Sequence, residues 1–420
     1  MDKNQKILTA ALKEVAELEQ QFGENHPKMA IAYANLVEMN QKMGFLDGVL
    51  TYQHKVITIW EQILDKNDPS LAVSYNNLSN IYYSMGRFPE ALEYALKDVA
   101  ISEQALNDKR LNLATSYANL SIVYQTMGQF PEALEYSLKG IAISEKTLNK
   151  YHPVLAISYS DISSIYQSMG QLPEALEYAL KNIAIREKVL DPNHSDLAVS
   201  YNDLSSIYQA MGQLPEALAY QQKGIGIFEK VLAPNHPNLA TSYNNLSSIY
   251  YAMGQLHQAL AYQQKGIGIF EKVLAPNHPN LAASYNNLSC IYQDMEQLPE
   301  ALAYQQKAIA IREKVLAPNH PNLAASYNNL SCIYQDMEQL PEALAYQQKA
   351  IAIEKQTLGE NHPNLANSYI NIAYLCYDMK DITQAKDYIA RAIAILQHCF
   401  PDGHANLRAA LRLQKKISKT

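Results

Sequence analysis

Residues His236 to Gly254 read HPNLATSYNNLSSIYYAMG, and residues Gln255 to Leu274 continue with QLHQALAYQQKGIGIFEKVL. In the first stretch the apolar residues recur at spacings of three and four, which predicts an amphipathic helix. Pro237 suits the first turn of that helix, where its missing N–H is not needed. Gly254 suits a left-handed C-terminal cap. The second stretch has the same periodicity, so the two together predict a pair of helices joined by a tight turn.

This helix pair returns along the chain with a period of 42 residues. One tyrosine on the first helix marks every copy. The nine members of this series are Tyr33, Tyr75, Tyr117, Tyr159, Tyr201, Tyr243, Tyr285, Tyr327 and Tyr369. Three such series account for 25 of the 30 tyrosines, and residues 271–311 are identical to residues 313–353. The array therefore grew by duplication, and the positions at which copies differ carry the most information about function.

Composition narrows the class of protein further. The 420 residues carry a net charge of −7, and 48% of them are apolar, which argues against a disordered chain. No apolar run approaches the roughly 18 residues of a membrane span, and charges interrupt the N-terminal segment where a signal peptide would be apolar. The four cysteines are too few for a disulfide framework. We expect a cytoplasmic protein that does not bind nucleic acid or membrane.

The repeat fixes the predicted domain organisation. Residues 1–22 align with a second helix and form an N-terminal half-repeat cap, residues 23–400 hold nine 42-residue repeats, and residues 401–420 form a C-terminal basic capping helix. Capping of this kind gives an open array its polar ends. We interpret the basic residues of the last helix as a soluble outer face, and a nucleic-acid or anionic-lipid tail is the sharper alternative. These residues are Arg408, Arg412, Lys415, Lys416 and Lys419.

The segment SYNNLSSIYYAMGQLHQALAYQQ resembles a tetratricopeptide repeat through the spacing of Leu246, Tyr250, Gly254 and Ala259. The period of 42 is similar to that of the kinesin light chain subclass. The heptad segment with which light chains bind the motor is not among the 22 residues before the first repeat, so the resemblance is to the array alone. It implies an all-α solenoid of helix-turn-helix repeats, a right-handed superhelix whose first helices line a concave groove.

Some positions depart from the family pattern. The glycine that closes the first helix is replaced in the last three repeats by Glu296, Glu338 and Lys380. A usually small position of the second helix also varies between copies. Its occupants are Asp98, Gly140, Asn182, Gly224, Gly266 and Ala308.

Motifs for catalysis are missing from the sequence, including the P-loop, zinc-protease, nucleophile-elbow and dinucleotide-binding patterns. One loop histidine occurs per repeat, and copies about 10–20 Å apart, given helix diameters near 10 Å, cannot converge on a metal. We interpret these histidines as fixing the start of the following helix. The series is His26, His152, His194, His236, His278, His320, His362 and His404. We therefore expect no enzyme activity, no cofactor and no metal.

A second polar series offers a binding surface, two residues after the marker tyrosine. We call this series the groove ladder: Asn35, Asn77, Asn119, Asp161, Asp203, Asn245, Asn287, Asn329 and Asn371. An amide has a donor and an acceptor and can hold the N–H and C=O groups of an extended peptide. Asn is also a poor helix former, so its repetition indicates a function. Alternatively, the amides bond to a neighbouring helix and fix repeat stacking, and both roles can hold together.

Further groove candidates lie beside the ladder. They are Asn76, Asn202, Asn244, Asn286, Asn328, Tyr83, Tyr251, Gln293, Gln335 and Tyr377. Lys42 is the single basic residue between the leading Ala and the Met of the first helices, whereas Asp residues recur there, so the groove is neutral to acidic. A protein or peptide partner with a neutral or basic extended segment fits this surface best.

We therefore hypothesise a non-enzymatic scaffold or adaptor that binds an extended peptide, or a flexible segment of a partner, in its groove. Two alternatives stay open: a sensor that changes its superhelical pitch on binding a peptide signal, and a regulatory subunit of a signalling enzyme on another chain.

Overall fold

The computed structural model describes residues 3–43, 45–104, 110–399 and 405–419. Within these ranges the chain forms twenty α-helices and no β-strand, which confirms the predicted all-α repeat fold. The chain divides into two compact units, Met1–Met211 and Gly212–Thr420, each built from ten helices. The handedness of the superhelix and the division into caps and repeats stay predictions.

The first unit contains α1 Lys3–Phe22, α2 Pro27–Met43, α3 Leu46–Ile63, α4 Pro69–Ser84, α5 Phe88–Gln104, α6 Arg110–Thr126, α7 Phe130–Thr147, α8 Pro153–Ser168, α9 Leu172–Val189 and α10 Ser195–Ala210. The second unit contains α11 Leu214–Val231, α12 Pro237–Ala252, α13 Leu256–Val273, α14 Pro279–Asp294, α15 Leu298–Val315, α16 Pro321–Asp336, α17 Leu340–Leu358, α18 Pro363–Asp378, α19 Ile382–Cys399 and α20 Ala405–Ile417. Even-numbered helices from α2 to α18 are the first helices of their repeats, and odd-numbered helices from α3 to α19 are the second. Helices α1 and α20 lie in the segments predicted as caps, of which residues 1, 2, 401–404 and 420 are outside the described part.

Helix α12 starts at Pro237 and ends just before Gly254, as the sequence indicated. His236 Nδ1 accepts a hydrogen bond of 3.1 Å from the backbone N–H of Asn238, and Pro237 occupies the first turn. This bond satisfies one of the N–H groups that a helix start leaves unpaired. The interpretation of the loop histidines is thereby confirmed, except for His404, which lies outside the described residues. The histidines that accept such a bond are His26, His152, His194, His236, His278, His320 and His362.

A left-handed residue ends most first helices. Gly254 has a φ of 72°. Glu296, Glu338 and Lys380 occupy the same position with φ values of 61°, 60° and 66°. A side chain in this conformation costs roughly 1–2 kcal/mol, so the last three turns are strained where the earlier ones are not.

Tyrosines pack the interior of each repeat. The ring centroids of Tyr285 and Tyr304 are 5.8 Å apart, and those of Tyr292 and Tyr304 are 5.7 Å apart with nearly parallel planes. The ammonium of Lys307 lies 4.8 Å from the Tyr304 centroid, where the face of the ring attracts a cation. The tyrosine excess thus arises from packing that is copied from repeat to repeat.

The two helices of a repeat approach closely where small residues meet. Ser289 Oγ donates a 2.7 Å hydrogen bond to the carbonyl oxygen of Ala301, and both residues are fully buried. The same bond occurs at 2.7 Å in six described repeats, from Ser79, Ser121, Ser163, Ser247, Ser289 and Ser331. Serine at this position is therefore small enough for close packing and adds a fixed contact between the two helices.

A different bond joins consecutive repeats within each unit. The marker Tyr285 donates its hydroxyl proton to Glu271 at 2.7 Å, from α14 to the end of α13. Burial and this bond raise the pKa of the Tyr285 hydroxyl. The pattern breaks at α17, where Glu354 and Lys355 take the places of Arg312 and Glu313. Lys355 Nζ then lies 5.8 Å from the ring centroid of Tyr369, and Glu354 is buried.

Two glycines of α13 differ sharply in their surroundings. A Cβ on Gly266 would overlap Asn244 Oδ1 and would lie 2.9 Å from the carbonyl oxygen of Ala240. A Cβ on Gly268 would meet no atom within 4 Å. Close helix packing therefore requires glycine at position 266, whereas position 268 has room for a side chain.

We predict opposite effects for the same substitution at these two sites. Gly268→Ala should raise the free energy of unfolding by up to about 1 kcal/mol, because alanine is the better helix former. Gly266→Ala should lower it by about 1–3 kcal/mol, because the methyl group displaces Asn244 and presses on backbone. Urea unfolding followed by circular dichroism measures both changes. Equal stabilisation by the two variants would contradict the close packing at Gly266.

Candidate functional site

The groove ladder lies on the surface formed by the first helices, which we call the first-helix face. First helices of adjacent repeats touch directly, as α4 does α6 in the first unit and α12 does α14 in the second. None of the nine ladder side chains is buried. Asn35, Asn77, Asp203 and Asn287 are exposed, and Asn119, Asp161, Asn245, Asn329 and Asn371 are half-buried.

Two ladder residues bond to the preceding first helix. Asn119 Nδ2 donates to Asn76 Oδ1 at 3.0 Å, and Asn329 Nδ2 donates to Asn286 Oδ1 at 3.1 Å. These contacts are what the stacking alternative requires. Among the residues that the structure describes, the other seven ladder side chains have no hydrogen-bond or ion-pair partner. They are Asn35, Asn77, Asp161, Asp203, Asn245, Asn287 and Asn371.

The position before the ladder lies deeper. Asn76, Asn202, Asn244, Asn286 and Asn328 are all half-buried. In the second unit, three of these asparagines accept hydrogen bonds from buried glutamine side chains of α13, α15 and α17. Gln263, Gln305 and Gln347 donate from Nε2 to Asn244, Asn286 and Asn328 at 3.1, 3.2 and 2.8 Å. Side chains at this position therefore fix the packing beneath the ladder.

Copies of this asparagine take two arrangements. Asn244 turns toward Gly266 and donates to Ser284 Oγ at 2.7 Å. Ala308 replaces the glycine in the next repeat, and its Cβ excludes that arrangement for Asn286, which instead accepts from Asn329. In these two repeats the arrangement of the asparagine follows the residue on the second helix, and only Asn286 accepts from a ladder amide.

The remaining groove candidates bridge consecutive first helices while staying half-exposed. Tyr83 and Thr126 hydroxyls are 3.0 Å apart, and Gln293 Nε2 donates to Asp336 at 2.6 Å. Gln335 donates to Asp378 at 3.4 Å. A hydrogen bond between Tyr251 and Asp294, together with burial, raises the pKa of the tyrosine. The Tyr377 ring has Lys416 Nζ at 4.7 Å from its centroid.

Among the cavities of the first unit, two are each lined by two ladder residues. One, of about 340 Å³, is lined by Asn76, Asn77 and Asn119, with Asp98 of α5 at its base. Asp98 is 3% exposed and accepts a 2.9 Å bond from Ser102 Oγ. Burial raises the pKa of this carboxyl above its ordinary value.

The second cavity, of about 250 Å³, is lined by ladder residues Asp161 and Asp203 and by Asn182 and Ser200. Desolvation raises the pKa of both Asp carboxyls from 3.8 to about 6, against the opposing charge of Arg186. The Asp203 side chain is exposed to water, and the cavity that it lines is formed mostly by polar side chains.

Sequence reasoning did not identify Asp98, Asn182 or Arg186 as groove residues, because they belong to second helices. Variation between copies is the sequence feature that could have identified them, because other repeats carry different residues at these three positions. No group of His, Cys, Asp and Glu that could hold a metal occurs among the described residues. In the same part of the chain, no helix is long and apolar enough to cross a membrane.

The family model for the tetratricopeptide repeat matches most of the chain, in overlapping stretches. These are residues 28–97, 114–188, 154–230, 196–272, 238–314, 280–353 and 333–398. Among curated proteins, no sequence matches.

Solved structures give similar folds. The apo form of the quorum sensor NprR from B. thuringiensis is 16% identical, with 87% of this chain and 97% of that chain covered and a TM-score of 0.62. The apo form of RapI is 16% identical, with 68% and 98% covered and a TM-score of 0.54. Nearly identical TPR-like repeats of a Podosopora anserina protein, described as a kinesin light chain, are 32% identical, with 49% and 98% covered and a TM-score of 0.43.

We predict that the two ladder carboxylates destabilise the fold at high pH. Their pKa values of about 6 lie above the ordinary 3.8. Ionisation of the two carboxyls in the folded state therefore lowers the free energy of unfolding. This loss is absent below pH 3.8 and complete above about pH 6. Asp161→Asn with Asp203→Asn should therefore raise the melting temperature by about 3 °C near pH 8. This increase is smaller than the full pKa shift would give, because solvent screens the exposed charge. Near pH 4.5 the gain should be small.

Differential scanning calorimetry measures this pH dependence. Glu174→Gln with Glu216→Gln is the matched control, because it removes two exposed charges from the first turns of α9 and α11. A gain of equal size at both pH values would show that the two Asp carboxyls titrate normally.

Proposed function

This chain belongs to the tetratricopeptide repeat family, and from that premise we propose that it is a non-enzymatic interaction scaffold. Its first-helix face binds an extended peptide, or a flexible segment of a partner protein, along the groove ladder. The observation that carries this proposal is the set of seven ladder side chains with no partner in the described part of the chain.

Unpartnered amides on a helix surface suit a peptide main chain. Stacking alone would favour the bonded arrangement of Asn119 and Asn329, yet most copies lack it. Each free amide offers one donor and one acceptor to a peptide N–H and C=O. Repeats about 10 Å apart match roughly three residues of extended chain at about 3.3 Å each. Adjacent ladder amides would therefore meet every third peptide residue without reading its side chain.

Charge favours a neutral or basic peptide. Asp98, Asp161 and Asp203 line cavities on this face of the first unit, and Asp294, Asp336 and Asp378 follow on the first helices of the second. An acidic segment would meet like charge at each of these places, whereas a basic one would be attracted.

We predict that Asn245→Ala with Asn287→Ala abolishes peptide capture and leaves the fold intact. Both side chains lack a partner, and alanine is the better helix former, so stability should stay equal or rise by up to about 1 kcal/mol. The measurement is a display selection of random dodecapeptides on the immobilised full chain, with recovery compared between wild type and variant.

Asn238→Ala with Asn280→Ala is the matched control, because these exposed residues lie in the first turns of the same two helices, α12 and α14. The control should recover peptides as the wild type does. Undiminished recovery by the ladder variant, with unchanged unfolding, would remove the ladder from the proposed function.

A peptide-signal sensor is the second candidate, since the quorum sensor NprR has a similar fold over 87% of this chain. A sensor should change its radius of gyration when a selected peptide binds, whereas a passive scaffold should not. Small-angle scattering of the full chain with and without the peptide distinguishes the two, and the ladder variant with the same peptide provides the baseline.

A further inference from the structure

We propose that the cavity of about 250 Å³ between α8, α9 and α10 is a subsite for one lysine or arginine side chain of the bound peptide. We call this cavity the cation subsite. The inference rests on the proposed peptide-binding function and assigns a chemical preference to one place along the ladder.

Two carboxylates flank the cavity. Asp161 of α8 and Asp203 of α10 occupy the same ladder position in successive repeats, and both line the cavity wall. Within the described residues, neither carboxylate has a hydrogen-bond or ion-pair partner. A partly buried carboxylate without a partner is costly, and a cation that enters between the half-buried Asp161 and the exposed Asp203 offsets part of that cost.

The nearby arginine does not fill this role. Arg186 Nη1 donates to the carbonyl oxygen of Asp196 at 2.5 Å and to Ser200 Oγ at 2.9 Å. These bonds hold the guanidinium against the start of α10. Its charge acts on both carboxylates from a distance without an ion pair to either.

The floor of the cavity adds a separate polar group. Ser200 Oγ accepts from Arg186, which can only donate, and its own proton has two acceptors within reach, Asn182 Oδ1 at 3.1 Å and the carbonyl oxygen of Asp196 at 3.2 Å. Asn182 is 3% exposed, and its Nδ2 has no partner in the described part of the chain. A buried amide donor at the base of a cavity is suited to an acceptor such as a peptide carbonyl oxygen.

Size and sequence both restrict the ligand. The volume lies below the roughly 300–1,000 Å³ of sites for small molecules, and two ladder residues line the cavity. The seven other repeats carry Asn at the ladder position, so the acidic pair is confined to these two copies. In an array built by duplication, such a departure marks a place where one residue of the peptide is distinguished from the rest.

The test uses the random dodecapeptide selection on the full chain. Peptides recovered by the wild type should share a Lys or Arg at one position. Replacement of that residue by norleucine in a synthetic peptide should weaken binding about tenfold, the size expected for a lost charge-assisted hydrogen bond. Isothermal titration calorimetry measures the two affinities.

Asp161→Asn with Asp203→Asn should erase the difference between the two peptides while the norleucine peptide binds as before. This variant restores the residue found in the other repeats, so it is expected to fold. Glu174→Gln with Glu216→Gln removes the same net charge elsewhere and should keep the tenfold preference.

Each contrary result has its own meaning. Recovery of peptides that share no cationic residue overturns the cation subsite and leaves the scaffold proposal standing. A cationic preference that survives in the Asp161 and Asp203 variant also overturns the subsite. Failure of the wild type to recover any peptide above background contradicts the proposed function and, with it, the subsite.

Discussion

Close contact between the two helices of a repeat is the constraint on which the rest of this structure depends. The Ser289 to Ala301 bond and its copies mark a crossing where small, buried residues of the two helices meet. Each repeat is too thin to have a core of its own and buries its apolar residues against its neighbours. The crossing sets the tilt of each pair, and the tilt sets which side chains of the first helix reach the surface. The ladder is a consequence of that geometry.

Residues that vary between copies modify a surface that the invariant residues build. Gly266 and Ala308 show how this works without a change in the ladder itself, because Asn244 beside the glycine donates to Ser284, whereas Asn286 beside the alanine accepts from the ladder residue Asn329. Two copies with the same ladder residue therefore present different groups to a ligand. A solenoid of this kind can acquire selectivity one repeat at a time.

The repeat period, the helix ends and the position of the ladder residues could be predicted because they recur at fixed intervals along the sequence. The involvement of Asp98 and Arg186 was not, since a pattern read along first helices does not say which second-helix side chains reach between them. The difference between Asn287 and Asn329 was also hidden, because the sequences around the two are identical and the cause lies on a different helix. Only packing in three dimensions separates such copies.

In α17, Glu354 and Lys355 stand where the preceding repeat has Arg312 and Glu313, and this difference affects where additional repeats can be inserted. If a duplicated repeat is inserted among α11 to α16, its marker tyrosine lies beside a glutamate at the end of the preceding helix. The tyrosine then donates a hydrogen bond to that glutamate, as Tyr285 does to Glu271. A copy placed directly after α17 meets Lys355 and loses that bond. Unequal recombination between identical stretches can therefore lengthen or shorten the middle of the second unit at little cost in stability. A repeat gained at the α17 junction would place its marker tyrosine beside Lys355, as Tyr369 already lies.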